Sequence, residues 1–419
     1  MDISLLLNGT NCACGRHHQC SIKHVVIEKN AVSRLPELID GYKSILLVAD
    51  RNTYSVCGNT VEESIKGRLS NALIYERDGL LIPNERAIGE MEDMLTSETE
   101  LIIGVGSGVI QDLCKYVSFK HKLPYYIVAT APSMDGYASA GAAMIIDNMK
   151  VTYNAHVPEA IIADTDVIKN APIEMIQSGY GDIIGKLSCL NDWRLSQVVN
   201  DEYFCQYIYD LTMEMVNNIK DCGKKLVERD EKSIKLLMEA LVGTGVAMAY
   251  AGNSRPASGS EHHFSHFFEV IGIMNNEPYF MHGTDVAYSA VYTARMREEI
   301  LRLDKPVQKS DFNEYEWETS IRKIYGRAAD GIIKLQNSTG CYKKDYIAIY
   351  QSKWNEIKAT LSEAPKADEL LGYLESVGLS IGQFEDMYSR EKINNAKWFA
   401  KDLKDRYTVL WLYYSLFYI

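Results

Sequence analysis

Four of the nine histidines fall in one short stretch, Ser258-Gly259-Ser260-Glu261-His262-His263-Phe264-Ser265-His266 followed by Met281-His282-Gly283. The polar lead-in reads as a helix start, and on a helix His262 and His266 lie four apart on one face. Imidazoles so placed, with His282 at a glycine-flanked position, form a metal-ligand or acid–base set, against the plainer reading of packed core histidines. His263 reads as a neighbour on another helix face. A metal also needs a carboxylate. Ser178-Gly179-Tyr180-Gly181-Asp182-Ile183-Ile184-Gly185-Lys186 offers Asp182 at what reads as a helix start, where capping is the ordinary role. Composition alone does not connect Asp182 to the histidines.

A second set of residues suits phosphate. Leu101-Ile102-Ile103-Gly104-Val105-Gly106-Ser107-Gly108-Val109-Ile110-Gln111-Asp112 reads as strand, glycine turn and helix start. Glycines let backbone approach a phosphate closely, and the free N–H groups of a first helical turn attract the anion. The dinucleotide fingerprint is incomplete, because no glycine follows three positions after Gly108, and a tight turn without a ligand is an equal reading. Asp50, at the end of an earlier apolar run, suits an adenosine ribose hydroxyl or a helix cap. Arg51 beside it would suit a 2′-phosphate, so NAD and NADP both remain open, with NAD preferred.

These residues need elements to hold them. Val25 to Ile27, Ile45 to Ala49, Ala72 to Tyr75, Leu101 to Val105 and Tyr125 to Ala129 are short apolar runs. Helical patterns lie between them, notably Glu85 to Leu95 and Gln111 to Lys122. Strands alternating with helices predict a parallel sheet covered on both faces. Beyond Ala171-Pro172 the patterns become long helices: Ile173 to Asn200, Glu202 to Lys225, Glu231 to Ala251, His262 to Ile273 and Thr284 to Leu303. The expected organisation is an α/β nucleotide-binding domain over 1–171 and an all-α metal- and substrate-binding domain over 172–419.

Composition sets bounds. With 419 residues, 47% hydrophobic and 24% charged, the chain suits an ordinary soluble protein of two domains. A net charge of −12 argues against nucleic acid. Lys224-Lys225 and Lys401 to Arg406 are interleaved with acids and read as solvated faces. The N-terminus has no basic region before an apolar stretch, and the apolar run Thr408 to Ile419 is shorter than the about 20 residues of a membrane span. That run reads as a buried terminal helix, with an oligomer contact as the alternative. Nine scattered cysteines suit reduced thiols and a cytoplasmic location. Cys12, Cys14, His17, His18 and Cys20 have the content of a zinc knuckle, but C-x-C is poor spacing for one, and the stretch reads as a strand hairpin.

Taken in order, Gly104 to Gly108, Thr130-Ala131-Pro132-Ser133-Met134-Asp135-Gly136-Tyr137-Ala138-Ser139, Ser178 to Asp182, Glu261 to His266, and His282-Gly283 resemble the sn-glycerol-1-phosphate dehydrogenases. Asn191-Asp192-Trp193-Arg194-Leu195 fits the bacterial branch. These enzymes stand with glycerol dehydrogenases, iron-containing alcohol dehydrogenases and dehydroquinate synthases. The resemblance runs from about Ile22 to about Ala290. It implies the dehydroquinate synthase-like fold, with the active site in a cleft between an α/β and a helical domain.

The resemblance also implies roles. Asp182, His262 and His282 would hold one divalent metal, zinc or nickel, with iron possible. His266 and Asp182 would be catalytic and meet the substrate, as would Asp135. Gly106, Ser107 and Gly108 would cradle the pyrophosphate of NAD or NADP; Thr130, Ser133 and Ser139 would contact the cofactor, and Asp50 its ribose. Ser107 stands where many relatives have glycine. The implied reaction is metal-dependent, reversible reduction of dihydroxyacetone phosphate to sn-glycerol 1-phosphate, within a homo-oligomer by family habit.

Lys150, Lys186 and Arg255 lie near these motifs and are candidates for a phosphate clamp. Rivals are another polyol or polyol-phosphate dehydrogenase, a dehydroquinate synthase-type cyclase, and a silent metal- or nucleotide-binding protein. The cyclase needs further basic residues that find no match here. Residues after Arg297 match nothing assignable.

Overall fold

The computed structural model describes residues 3–147, 149–309 and 311–419, with Met149 and Lys150 described in backbone only. The five apolar runs become strands, and five further strands stand beside them. Together they are β1 (Thr10–Asn11), β2 (His17–His18), β3 (His24–Glu28), β4 (Ile45–Asp50), β5 (Leu69–Tyr75), β6 (Leu101–Gly106), β7 (Tyr125–Ala129), β8 (Gly141–Ile146), β9 (Met149–Asn154) and β10 (Ala160–Asp164). Six of them form one sheet in the order β3-β10-β7-β6-β4-β5, parallel throughout. The central strands are buried on both faces, as a parallel sheet layered with helices requires, and β-branched and leucine side chains fill them.

Two pieces of this architecture were not expected. β10 inserts between β3 and β7, and β8 pairs antiparallel with β9. Asp147 sits at φ 51°, a left-handed conformation that aspartate tolerates at a turn.

The chain groups into two compact units, Met1–Tyr180 with Asn217–Asn253, and Gly181–Val216 with Ser254–Ile419. The helices that matter below are α1 (Gly108–His121), α2 (Ile173–Asn200), α3 (Glu231–Ala251), α4 (Ser260–Asn275), α5 (His282–Leu301) and α6 (Val409–Phe417). The helix expected over Glu202 to Lys225 is instead Gln206–Ile219, a 3-10 turn Lys220–Cys222, and Gly223–Val227. Residues 202–205 leave the helix because tertiary bonds claim them. Trp193 Nε1 donates to the Tyr203 carbonyl at 2.7 Å, and Arg255 binds Glu202 at 2.7 Å.

After residue 301 the named elements are all helices, ending in α6, whose Val409, Leu410, Trp411, Leu412, Tyr413 and Leu416 are buried. The terminal run is therefore core of its own unit. Among the described residues one helix, α3, is long and apolar enough to cross a membrane, and 72% of its most apolar window is buried inside the protein.

Candidate functional site

In the first unit, β4 leads to β5 on one side, and the chain then returns to lay β6 on β4's other flank. Such a reversal opens a crevice beyond the carboxyl ends of the strands, where parallel α/β sheets bind ligands. Ala49 is paired with Val105, so Asp50 and Gly106 end adjacent strands at that point. Ser107 is the N-cap of α1, with no side-chain cap bond, so the amides of the first turn stay available for an anion. Gly106 is a close-approach glycine: a Cβ there would lie 2.6 Å from Ile110 Cβ.

Asp50 caps the next helix, Oδ1 accepting from the Asn52 and Thr53 amides at 2.8 and 2.9 Å. A carboxylate has further acceptor capacity, so the cap does not displace a ribose contact. Arg51 is paired with Glu76. Thr130 and Ser133 are buried beyond the end of β7, and the Thr130 amide donates to the Gly106 carbonyl at 3.1 Å. Asp135 opens the 3-10 turn Asp135–Ala138, and Ser139 follows it.

Two residues of this region were missed from sequence. Lys115 is fully buried and donates to the Gly136 and Gly141 carbonyls at 3.0 and 2.8 Å, and to Ser139 Oγ at 3.4 Å. Gln111 Nε2 donates to the Tyr137 carbonyl at 3.0 Å. Together they fix the turn bearing Asp135 and Ser139.

The second unit brings Asp182, His262 and His282 together, one donor atom from each lying within 4.8 Å of the others. Asp182 is not at a helix start: it lies well inside α2, fully buried, so capping is not its role. Close helix packing explains the juxtaposition. A Cβ on Gly181 would meet Ala287 Cβ at 2.8 Å and overlap the Gly283 carbonyl, so only glycine lets α2 approach α5 here. Gly181 precedes Asp182 and Gly283 follows His282, so the approach aligns the two ligands.

α4 is held by its first residues. The Ser260 amide donates to Asp192 Oδ2 at 2.6 Å, and Arg297 Nη2 binds Asp192 Oδ1 at 2.9 Å, both within buried surroundings. Gly259 tolerates this because a Cβ there would sit 2.7 Å from Asp192 Oδ2.

Around the cluster the polar groups are ordered. His262 Nδ1 lies 2.6 Å from Glu261 Oε1, which also accepts the Gly259 amide at 2.9 Å. Burial, then the Lys186 cation, hold His262 well below its usual pKa, so its imidazole is neutral. Burial and the Asp192 charge push Glu261 up to about 7. Lys186, fully buried, binds Asp182 Oδ1 at 2.6 Å and the Ala257 carbonyl at 3.0 Å. His266 Nδ1 is 3.2 Å from Glu269 Oε2. His263 faces elsewhere, buried and held neutral by burial and then Arg406.

This donor set fits a divalent ion. His262 Nε2 and Asp182 Oδ1 are 3.7 Å apart, against about 3.3–3.6 Å between ligand atoms around a tetrahedral ion with bonds of about 2.0–2.2 Å. His282 Nδ1 is buried with no hydrogen-bond partner, which an imidazole avoids unless another group completes it. One carboxylate and two imidazoles suit zinc, nickel or iron better than magnesium or calcium.

Of the phosphate-clamp candidates, Arg255 does not suit the role: it is buried and committed to Glu202, to the Tyr407 carbonyl at 2.8 Å and to Ser196 at 3.3 Å. Lys186 faces the Asp182 carboxylate, and the side chain of Lys150 lies outside the described residues.

Comparisons with known proteins bear on this geometry. The family model for iron-containing alcohol dehydrogenase matches residues 26–172. Glycerol-1-phosphate dehydrogenase (NAD(P)+) of Halalkalibacterium halodurans is 35% identical over 303 residues, 70% of this chain and 76% of the relative. The chain belongs to the glycerol-1-phosphate dehydrogenase family. It is thus an NAD(P)-dependent alcohol dehydrogenase by family. Among solved structures, glycerol dehydrogenase from Schizosaccharomyces pombe shares the fold at TM-score 0.54 and 17% identity, over 87% of this chain and 91% of that one. Sulfoacetaldehyde reductase from Bifidobacterium kashiwanohense, solved with NAD+, shares it at TM-score 0.61 and 11% identity, over 95% and 97%.

Within this glycerol-1-phosphate dehydrogenase family member, Glu261, Asp192 and Arg297 are the site residues whose roles sequence reasoning missed. The runs Asn191 to Leu195 and Glu261 to His266 contained two of them without assigning a role.

Proposed function

We propose that the protein reduces dihydroxyacetone phosphate to sn-glycerol 1-phosphate with NAD(P)H, reversibly, at a divalent metal held by Asp182, His262 and His282. The observation that carries this reading is the convergence of those three donors in one cluster of a family whose named members are glycerol-1-phosphate dehydrogenases. Residues 1–171 are assigned to the nucleotide and residues 172–419 to metal and substrate. Zinc or nickel is the expected ion, and the cytoplasm the expected compartment, since nine scattered cysteines suit reduced thiols.

The chain's own residues have distinct tasks. Gly106, Ser107 and Gly108 present backbone N–H groups to the pyrophosphate, while Thr130, Ser133 and Ser139 contact the cofactor and Asp50 accepts from its ribose. Glu76 at Arg51 opposes a 2′-phosphate, which supports NAD over NADP. Glu261 accepts a hydrogen bond from His262 Nδ1–H, leaving Nε2 as the ligand atom and fixing the ring. When bound, a divalent ion supplies Lewis acidity that stabilises negative charge gathering on the ketone oxygen.

His266, paired through Nδ1 with Glu269, has Nε2 for holding or delivering the proton that the reduced oxygen takes up. Asp135 is assigned to substrate orientation.

The test is NADH oxidation by chelator-stripped protein with a panel of divalent metals. Oxidation of dihydroxyacetone phosphate that needs zinc or nickel, with unphosphorylated dihydroxyacetone inert, is the expected result. No oxidation with any metal would remove the substrate and favour another polyol dehydrogenase.

A further inference from the structure

The N-terminal hairpin brings Cys12, Cys14 and His18 together, although their spacing in sequence did not promise it. One ligand atom from each lies within 4.8 Å of the others. Cys14 Sγ is 3.4 Å from His18 Nε2, and the Cys14 amide donates to Cys12 Sγ at 3.5 Å. Ligand atoms around a tetrahedral zinc, with Zn–S about 2.3 Å and Zn–N about 2.0 Å, stand about 3.5–3.8 Å apart.

The turn is built to hold this arrangement. The Cys12 amide donates to the Arg16 carbonyl at 3.0 Å and the Gly15 amide to the Cys12 carbonyl at 3.0 Å. Gly15 sits at φ 83°, a left-handed conformation that glycine adopts without strain. Strand alternation sends His17 and His18 to opposite faces. His17 pairs with Asn11 on the exposed side, at 2.9 Å, while His18 is buried.

His18 Nδ1 lies 2.9 Å from the Tyr250 carbonyl, and the two rings stack at 5.5 Å. A carbonyl only accepts, so Nδ1 donates to Tyr250, and Nε2 is the ring nitrogen turned toward Cys14. A ring nitrogen tied to a backbone carbonyl, with the other aimed at thiols, is the outer-sphere pattern of metal-ligating histidine.

We propose that Cys12, Cys14 and His18 hold a second divalent ion of the zinc class, structural in role and separate from the Asp182, His262 and His282 cluster. The ion binds thiolates, so two thiol protons pass to solvent and no electron moves. A further thiol or water fills the fourth tetrahedral position. This ion closes the loop from Cys12 to His18 and fixes the start of the chain to α3 through Tyr250.

The full-length protein, stripped and reloaded with cobalt(II), gives the test. The Asp182 cluster contains no sulfur, so thiolate-to-cobalt charge-transfer absorption reports the hairpin alone. Expected are that band in the wild type, its loss in Cys12→Ser and Cys14→Ser, and a fall in zinc content from ~2 to ~1 ions per chain in both variants. A serine scan of the other seven cysteines identifies any fourth thiol. A wild-type protein that binds cobalt without the thiolate band overturns the proposal even if the variants do not fold. So does a Cys12–Cys14 disulfide found in freshly purified protein, or zinc content unchanged in both variants.

Discussion

Replacing Gly181 with alanine should separate fold from metal site. The added Cβ would lie 2.8 Å from Ala287 Cβ and overlap the Gly283 carbonyl, where carbon atoms need about 3.5–4.0 Å. α2 and α5 must therefore part by about 1 Å. Overpacking of this kind costs about 1–3 kcal/mol, offset by the about 0.5–1 kcal/mol that alanine gains over glycine inside a helix. Net destabilisation of the metal-free protein is on the order of 1 kcal/mol, which leaves it folded.

The ligands tolerate far less. Metal–ligand distances hold to about ±0.2 Å, and Asp182 and His282 ride on the two helices forced apart. Metal affinity should fall by at least the about 10- to 100-fold that loss of an outer-sphere partner causes. Gly245→Ala is the control, because its Cβ would meet Ala138 Cα at 2.9 Å, in the first unit. Competition of zinc with a chromogenic chelator, beside thermal melts of both variants, reads the two quantities. If Gly181→Ala melts lower yet binds zinc at the Asp182 cluster as tightly as wild type, the packing account of the site is wrong.

Other consequences follow from the same contacts. Glu261→Gln should weaken metal binding about 10- to 100-fold while leaving the fold intact, measured by the same competition. In the metal-free protein burial raises the Glu261 carboxyl to about 7, above its unfolded value of 4.5. Its protonated form is then the favoured one, so its stabilisation is full below pH 4.5 and lost as pH rises through 7. Denaturant melts should show wild type losing on the order of 3 kcal/mol over that window relative to Glu261→Gln; parallel curves would refute the shift. Arg297→Met strands Asp192 in the core and should cost about 3–5 kcal/mol in a urea melt, with a loss below 1 kcal/mol counting against a role for that pair. Arg255→Met should lower stability with little change in KM for the phosphorylated ketone, the opposite of a clamp residue, as steady-state kinetics on the folded fraction would reveal.

Much of the scaffold was legible because its signals are local. The runs at Ile45 to Ala49, Leu101 to Val105 and Tyr125 to Ala129 could only be buried strands, and Ile173 to Asn200 carries helical periodicity end to end. β10 was readable in principle: Ala160-Ile161-Ile162-Ala163-Asp164 repeats the Ile45 to Asp50 theme of an apolar run ending in a capping aspartate. The hairpin of β8 and β9 turns at Asp147, whose positive φ aspartate tolerates. The histidine set was visible through spacing on α4, but its carboxylate was reachable only by resemblance, since Asp182 and His262 are joined by tertiary packing.

Glu261 escaped notice because a glutamate beside a histidine is ordinary in sequence, and only burial gives it meaning. Arg255 and Lys186 read as phosphate-clamp candidates, and burial gave each a carboxylate partner instead. Cys12, Cys14 and His18 converge through a turn whose geometry depends on Gly15, which spacing rules drawn from zinc knuckles do not describe.

The central claim is that reduction depends on an ion at Asp182, His262 and His282. The most direct measurement is dihydroxyacetone phosphate-dependent NADH oxidation by chelator-stripped protein as zinc or nickel is returned, with Asp182→Asn beside wild type. The account predicts no activity in either stripped protein, recovery in wild type on metal return, and none in Asp182→Asn. Full activity of stripped wild type in the presence of chelator, or recovery of Asp182→Asn to the wild-type rate, would contradict it.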